Sequence, residues 1–202
     1  MIIASSLAQK FIAIQHKFER GVPRGSMSLL KQLSQKKKTI IKKWFDKVVD
    51  SYPIDTAQFF KSQNDPFANP VGQTTLHSLE GMFDLIVEDF DPDRAKEHVD
   101  PVIRIRSIQD FTPSRAVRFI YDLKHIIRDQ VPLQSDAETM NAYAGVDQRI
   151  DAMALVAFDI YVQCREKIYD LKANEMRART YSAFARAGLV KEPDEDNPDS
   201  KG

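Results

Sequence analysis

Four histidines, one cysteine and a few closely spaced aspartates are the side chains in this 202-residue sequence that could hold a metal or a cofactor. An axial haem ligand needs a histidine projecting from a helix into an apolar pocket. His16 sits in an irregular N-terminal stretch. His77 shares a helical face with Gln73, Glu80 and Asp84, and His125 shares one with Arg118, Asp122 and Arg128, so all three are expected in solvent. His98 comes closest to an inward position, with Val102 and Ile105 nearby, although Pro101 disturbs the local geometry. It is the one haem candidate, set against the plainer role of a packing or surface histidine. Asp89, Asp91 and Asp93 imitate the start of a calcium loop, but the sixth position is Arg94 where the turn needs glycine, and the twelfth is Asp100 rather than glutamate. Cys164 falls mid-helix on an apolar stripe without a nearby histidine, which suits a small core residue better than a nucleophile. No Gly-rich phosphate loop, Gly-x-Ser-x-Gly turn or His-Glu-x-x-His pair occurs. The expectation is a protein with no catalytic residues, no metal site and no cofactor.

Two charge patterns stand out. Lys31, Lys36, Lys37, Lys38, Lys42, Lys43 and Lys47 nearly surround the outer side of one helix, opposed by Asp46 alone. Such a run is ordinarily a solvated face; its sharper role is docking to an acidic partner or an anionic membrane. Arg104, Arg106, Gln109 and Asp110 interrupt the apolar residues Ile103, Ile105, Ile108 and Phe111. Charges set so close to apolar residues must pair internally, reach water or meet a ligand. An internal ion-pair network through Asp151 or Glu166 is the expectation. A contact with a ligand or partner at these four residues is the alternative.

Positioning these groups falls to helices. From Leu33 through Ile40, Ile41, Trp44, Phe45, Val48, Val49 and Tyr52, apolar residues recur at three- and four-residue steps, predicting a helix from about Leu29 that Pro53 stops. A short helix follows, capped by Asp55 with Phe59 and Phe60 facing inward. Three cap-then-proline signals come next, Asn69-Pro70, Asp91-Pro92 and Thr112-Pro113, each opening a helix. Pro101 is expected to split the second of these into two short pieces. After a linker over 131–134, Ser135 and Glu138 form a capping box, and residues 136–186 run helical without proline, with Gly145 as a point of division. Within this stretch Ile150, Ala154, Ala157, Tyr161, Cys164, Ile168 and Leu171 make one apolar face, and Met153, Val156 and Ile160 a second. A helix with two such faces can enter its own core and meet a second copy, so a homodimer through residues 136–186 is expected. No segment alternates like a strand. The fold class is all-α: one globular domain of six to seven helices with globin-like packing and a long last helix.

Composition bounds the rest. Lys plus Arg and Asp plus Glu balance at 29 each, so no overall field favours nucleic acid. One cysteine and no apolar run near the roughly 18 residues of a membrane span suggest a cytoplasmic protein. Residues 1–28 read as a disordered or mis-assigned leader, with Met27 an alternative start and Val22 to Ser26 (VPRGS) similar to a vector protease site. Residues 187–202, rich in acid and proline from Glu192 on, read as a disordered acidic tail, leaving 29–186 as the folded domain.

Phe45 to Tyr52 leading into Pro53, DPFANPVG at 65–72, IRIRSIQDFTPS at 103–114 and AFDIYVQCREKIY at 157–169 together resemble the RsbRD-type N-terminal domain, the sensor-domain family of the RsbT co-antagonists. The resemblance spans about Leu29 to Arg177. It implies a globin-like fold without haem and a stress-signalling sensor or interaction module, often followed by a STAS domain, for which no room remains after Arg186. His98 is not a feature of that pattern. The implied function is non-enzymatic regulation through a protein partner whose identity the sequence leaves open. The alternatives are a globin-like sensor of haem or a small apolar ligand, and an accessory protein docking to a membrane complex by its lysine face.

Overall fold

The computed structural model of the chain describes residues 24–62, 65, 67–109, 111–132 and 137–189, with side chains from Leu29 on. His16, Asp110, Ser135, Asp136 and the acidic tail from Glu192 lie outside these residues, as do the expectations placed on them. The described residues form six helices and no strand: α1 (Arg24–Val49), α2 (Ile54–Ser62), α3 (Pro70–Val87), α4 (Pro92–Ile108), α5 (Pro113–Gln130) and α6 (Ala137–Arg186).

Local chemistry accounts for most helix ends. Asn69, Asp91 and Thr112 cap α3, α4 and α5 as their types and positions predict: Asn69 accepts from the Gly72 amide, Asp91 from those of Asp93 and Arg94, and Thr112 from that of Arg115. A proline follows each cap at a position where a missing N–H leaves nothing unpaired. At the far end of α6, Gly188 takes φ +70, its amide bonds to the Ala185 carbonyl, and that of Leu189 bonds to the Phe184 carbonyl. This is a Schellman closure, and only glycine adopts that backbone without cost. The end of α6 is therefore written into the chain.

Four expectations change. α1 begins at Arg24, inside the segment assigned to the leader. Pro101 lies within a continuous α4: Ala95, Val99, Val102, Ile103 and Arg106 form one buried stripe on both sides of it, and their burial outweighs the lost backbone bond. Gly145 leaves α6 undivided over 50 residues, about 75 Å of helix. In α2, which begins at Ile54, Asp55 lies within the first turn instead of at the cap, the buried residue is Ala57, Phe59 points to solvent and Phe60 packs edge-on against Tyr52.

α6 is the central rod, packed against α4, α5, α1 and α3, with α1 also crossing α5 and α3. Of the two apolar faces foreseen on it, Met153-Val156-Ile160 and the first four residues of the other, Ile150-Ala154-Ala157-Tyr161, are buried within this one core, whereas Cys164 and Ile168 are half-buried and Leu171 is exposed. Trp44 is completely enclosed, and its indole nitrogen donates to the Phe119 carbonyl at 2.6 Å. The seams are pinned by Lys37–Asp84 between α1 and α3, by Lys124–Asp151 between α5 and α6, and by Arg149, which donates to the Ile86 carbonyl at the end of α3. After Lys167 the rod leaves the body. Every residue from Tyr169 to Leu189 is exposed.

Candidate functional site

Where α4 turns into α5, the chain buries a cation. Arg106 has no exposed surface, and its guanidinium donates to Ser51 Oγ at 2.9 Å and to the carbonyls of Val48 and Arg115 at 3.3 Å. Its carbon lies 4.8 Å from the ring centroids of Phe111 and Phe119 and 5.4 Å from that of Tyr52. Among the described residues no carboxylate pairs with it; the ring faces and carbonyl dipoles carry the compensation. Burial pulls the guanidinium below its ordinary pKa, opposed by Tyr52 and Asp122, and pushes the Tyr52 phenol up, opposed by Arg106. The expected ion-pair network is thus replaced: Asp151 binds Lys124, Arg104 bonds Asp100 one turn back along α4, and Arg106 meets aromatic rings. The Arg104 side chain is 67% exposed, and Gln109 is half-buried with its Oε1 lacking a hydrogen-bond partner.

This corner is clamped to α6. Tyr161 donates its hydroxyl to the Phe111 carbonyl at 2.6 Å. Arg165 donates to the Ser107 carbonyl at 3.0 Å, near the end of α4 where free carbonyls attract a cation, and to the Tyr169 hydroxyl at 2.8 Å while lying over that ring. Beside the clamp opens a cleft of about 510 Å³ between the start of α5 and α6, its walls including Phe111, Pro113, Tyr161, Val162, Glu166 and Tyr169. Its lining is apolar and aromatic with a few charges, a composition typical of binding surfaces. Sequence reasoning placed Arg106 at a point of interest but assigned Tyr161 to packing and passed over Arg165 and Tyr169. Their four-residue spacing was legible as a pair on one helix face; that they meet residues 107 and 111 was not.

The remaining candidates have other roles. The His98 ring stands edge-on to His77 at 6.3 Å and presses on Gly81, where a Cβ would lie 2.3 Å from its Nδ1. It serves the α3–α4 contact. Asp91 caps α4 and Asp93 binds Lys96, and no group of three or more His, Cys, Asp or Glu side chains converges among the described residues. His77 and His125 are exposed. Cys164 is half-buried against the core. No described helix is long and apolar enough to cross a membrane.

The corner, the cleft and most of the fold lie inside the span, residues 38–176, matched by the family model described as the RsbT co-antagonist protein rsbRD N-terminal domain. The chain belongs to this family. The RsbRD N-terminal domains are a signalling and regulatory family, not a known enzyme family. A relative from Archaeoglobus fulgidus, described as an uncharacterized protein, is 23% identical over 144 residues, covering 70% of this chain and 85% of the relative. No solved structure matches, so the globin-like packing rests on the family resemblance alone.

Proposed function

We propose that this RsbRD-type domain is a non-enzymatic, cytoplasmic regulator of the stress-signalling kind, which works through protein–protein contacts and pairs with a second copy through α6. The observation that carries this is the uncovered length of α6. Its outer part stays helical to a built-in stop at Gly188, yet it presents Tyr169, Leu171, Met176, Tyr181 and Phe184 to solvent. A soluble protein seldom leaves so many large apolar side chains uncovered along one element unless a partner covers them.

The corner around Arg106 supplies the input. A ligand or protein contact at the cleft, or at Arg104, Gln109 or Asp110, would bear on Phe111 and hence on Tyr161 and Arg165. Both of these sit on the same rod that forms the dimer. A small displacement of α6 is the transmitted change, of the kind by which packed helices shift at subunit interfaces. No cofactor takes part.

Light scattering on the intact chain at micromolar concentration tests the pairing. A dimer that Tyr169→Glu with Met176→Glu converts to a folded monomer is the expected result. A monomeric parent protein would sink it.

A further inference from the structure

We infer that the outer side of α1 docks on an anionic phospholipid surface through a band of unpaired lysines. This goes beyond the regulatory function proposed above and draws on neither the cleft nor the exposed length of α6.

Six of the seven lysines between Lys31 and Lys47 fall into two rows on one continuous helix. Lys31, Lys38 and Lys42 form the first, and Lys36, Lys43 and Lys47 the second, each with steps of seven and four residues. Such steps keep a row within about 40° of one direction round a helix axis. Gln35, Thr39 and Asp46 lie between the rows. The opposite side of α1, with Leu33, Ile40 and Trp44, enters the core against α3, α5 and α6. The band therefore faces away from the core.

Internal partners neutralise little of it. Lys37, at the edge of the core side, pairs with Asp84, and Lys36 donates to the Gln130 carbonyl, which leaves its charge in place. Lys31, Lys38, Lys42, Lys43 and Lys47 are exposed and have no ion pair or hydrogen bond among the described residues. Asp50, the next acid along, is taken by Lys61. Cations and acids balance over the whole chain, yet from Lys31 to Lys47 seven lysines face Asp46 alone. That excess is spread along about 24 Å of helix.

The make-up of the band selects its partner. All its cations are lysine and none is arginine. Lysine is a compact, hydrated charge on a flexible stem, whereas bidentate recognition of a single phosphate group favours the arginine fork. No ring is offered for a base to stack on, since Trp44 is enclosed and Phe45 packs against the core. A protein interface would bring an apolar centre, and lysine is depleted from such surfaces. A bilayer needs neither ring nor apolar centre. Anionic lipids gather beneath a fixed array of charge, and the long lysine stems let both rows reach one plane.

Cosedimentation of the full chain with vesicles tests this. Vesicles of about 40% phosphatidylglycerol in phosphatidylcholine should retain at least about tenfold more protein than pure phosphatidylcholine at low salt, and release it at about 0.5 M salt. Lys31→Glu with Lys38→Glu and Lys42→Glu should abolish retention, with helix content unchanged by circular dichroism. The neutral set Lys31→Gln, Lys38→Gln and Lys42→Gln, which adds no acid to α1, should lose most of it. Lys167→Glu with Lys172→Glu and Arg186→Glu changes the net charge equally on α6 and should bind as the parent does. Equal retention on both vesicle types, or loss in the α6 set with none in the α1 sets, overturns the assignment. So does tighter binding to a DNA duplex or to polyglutamate at the same salt, which would give the face to that polyanion instead.

Discussion

The guanidinium of Arg106 and the ring of Phe111 face each other at 4.8 Å, and Phe111 is also a wall of the cleft against α6. A wholly buried cation is thereby joined to an aromatic side chain placed to register what enters that cleft. Tyr161 and Arg165 extend the contact to the helix that leaves the body.

Substitutions at Arg106 should rank by volume and by fork geometry. Arg106→Met keeps most of the volume while removing a buried charge, and should cost within about 1 kcal/mol. Arg106→Ala opens a cavity among three rings and should cost about 3 kcal/mol. Arg106→Lys should fall between them, because an ammonium neither stacks nor bridges Val48, Ser51 and Arg115 together. Urea denaturation midpoints measure the order; alanine tolerated as well as methionine would contradict it.

Asn69 and Gly72 should show strong coupling. Asn69 Oδ1 accepts from the Gly72 amide at 2.9 Å, its Nδ2 donates to the Phe60 carbonyl at 3.1 Å, and a Cβ on Gly72 would fall 2.3 Å from Nδ2. Asn69→Ala should cost about 1–2 kcal/mol through the lost cap. Gly72→Ala should be damaging in the parent and much less so in the Asn69→Ala background. Additive costs in a double-mutant cycle would show that the close approach imposes no constraint.

Pro101→Ala should stabilise the protein. The ring interrupts the backbone ladder of a helix that is otherwise continuous from Pro92 to Ile108. Restoring an amide donor there should raise stability by about 1 kcal/mol, less than the full penalty of an interior proline because α4 is already shaped around the ring. Thermal melting reads it, and a lower midpoint would mean that the proline supplies packing the amide does not replace.

Tyr52 should make stability fall in alkali. Burial raises its phenol above the ordinary value, so the fold favours the neutral form. The stabilisation tied to that form is complete below about pH 10, where the unfolded phenol titrates, and is lost as pH climbs from there through the higher folded value. Tyr143, raised by burial as well, acts with the same sign. Denaturation midpoints between about pH 8 and pH 11 should decline more steeply in the parent than in Tyr52→Phe. Parallel declines would remove Tyr52 as a source.

Local rules reached far into this protein. A capping side chain followed by proline fixes a helix start through bonds spanning two or three residues, so Asn69, Asp91 and Thr112 could be read directly from the chain. Three- and four-residue periodicity likewise marks which side of α5 turns inward: Ala116, Val117, Ile120, Leu123, Ile126 and Ile127 recur at those steps, and all six are buried. Tertiary structure decided what depends on partners distant along the chain. Pro101 stays helical because residues on both sides of it enter one core, and Phe59 turns outward because α2 has only Ala57 to bury. The two apolar faces of α6 are consumed by α4, α5 and α1 only as far as Tyr161, and beyond it Leu171, Tyr169 and Met176 stay exposed because no other helix reaches them. Arg106 followed the same logic: its type and position marked a burial problem, but the rings that solve it arrive from residues 52, 111 and 119, and only packing brings them to one point.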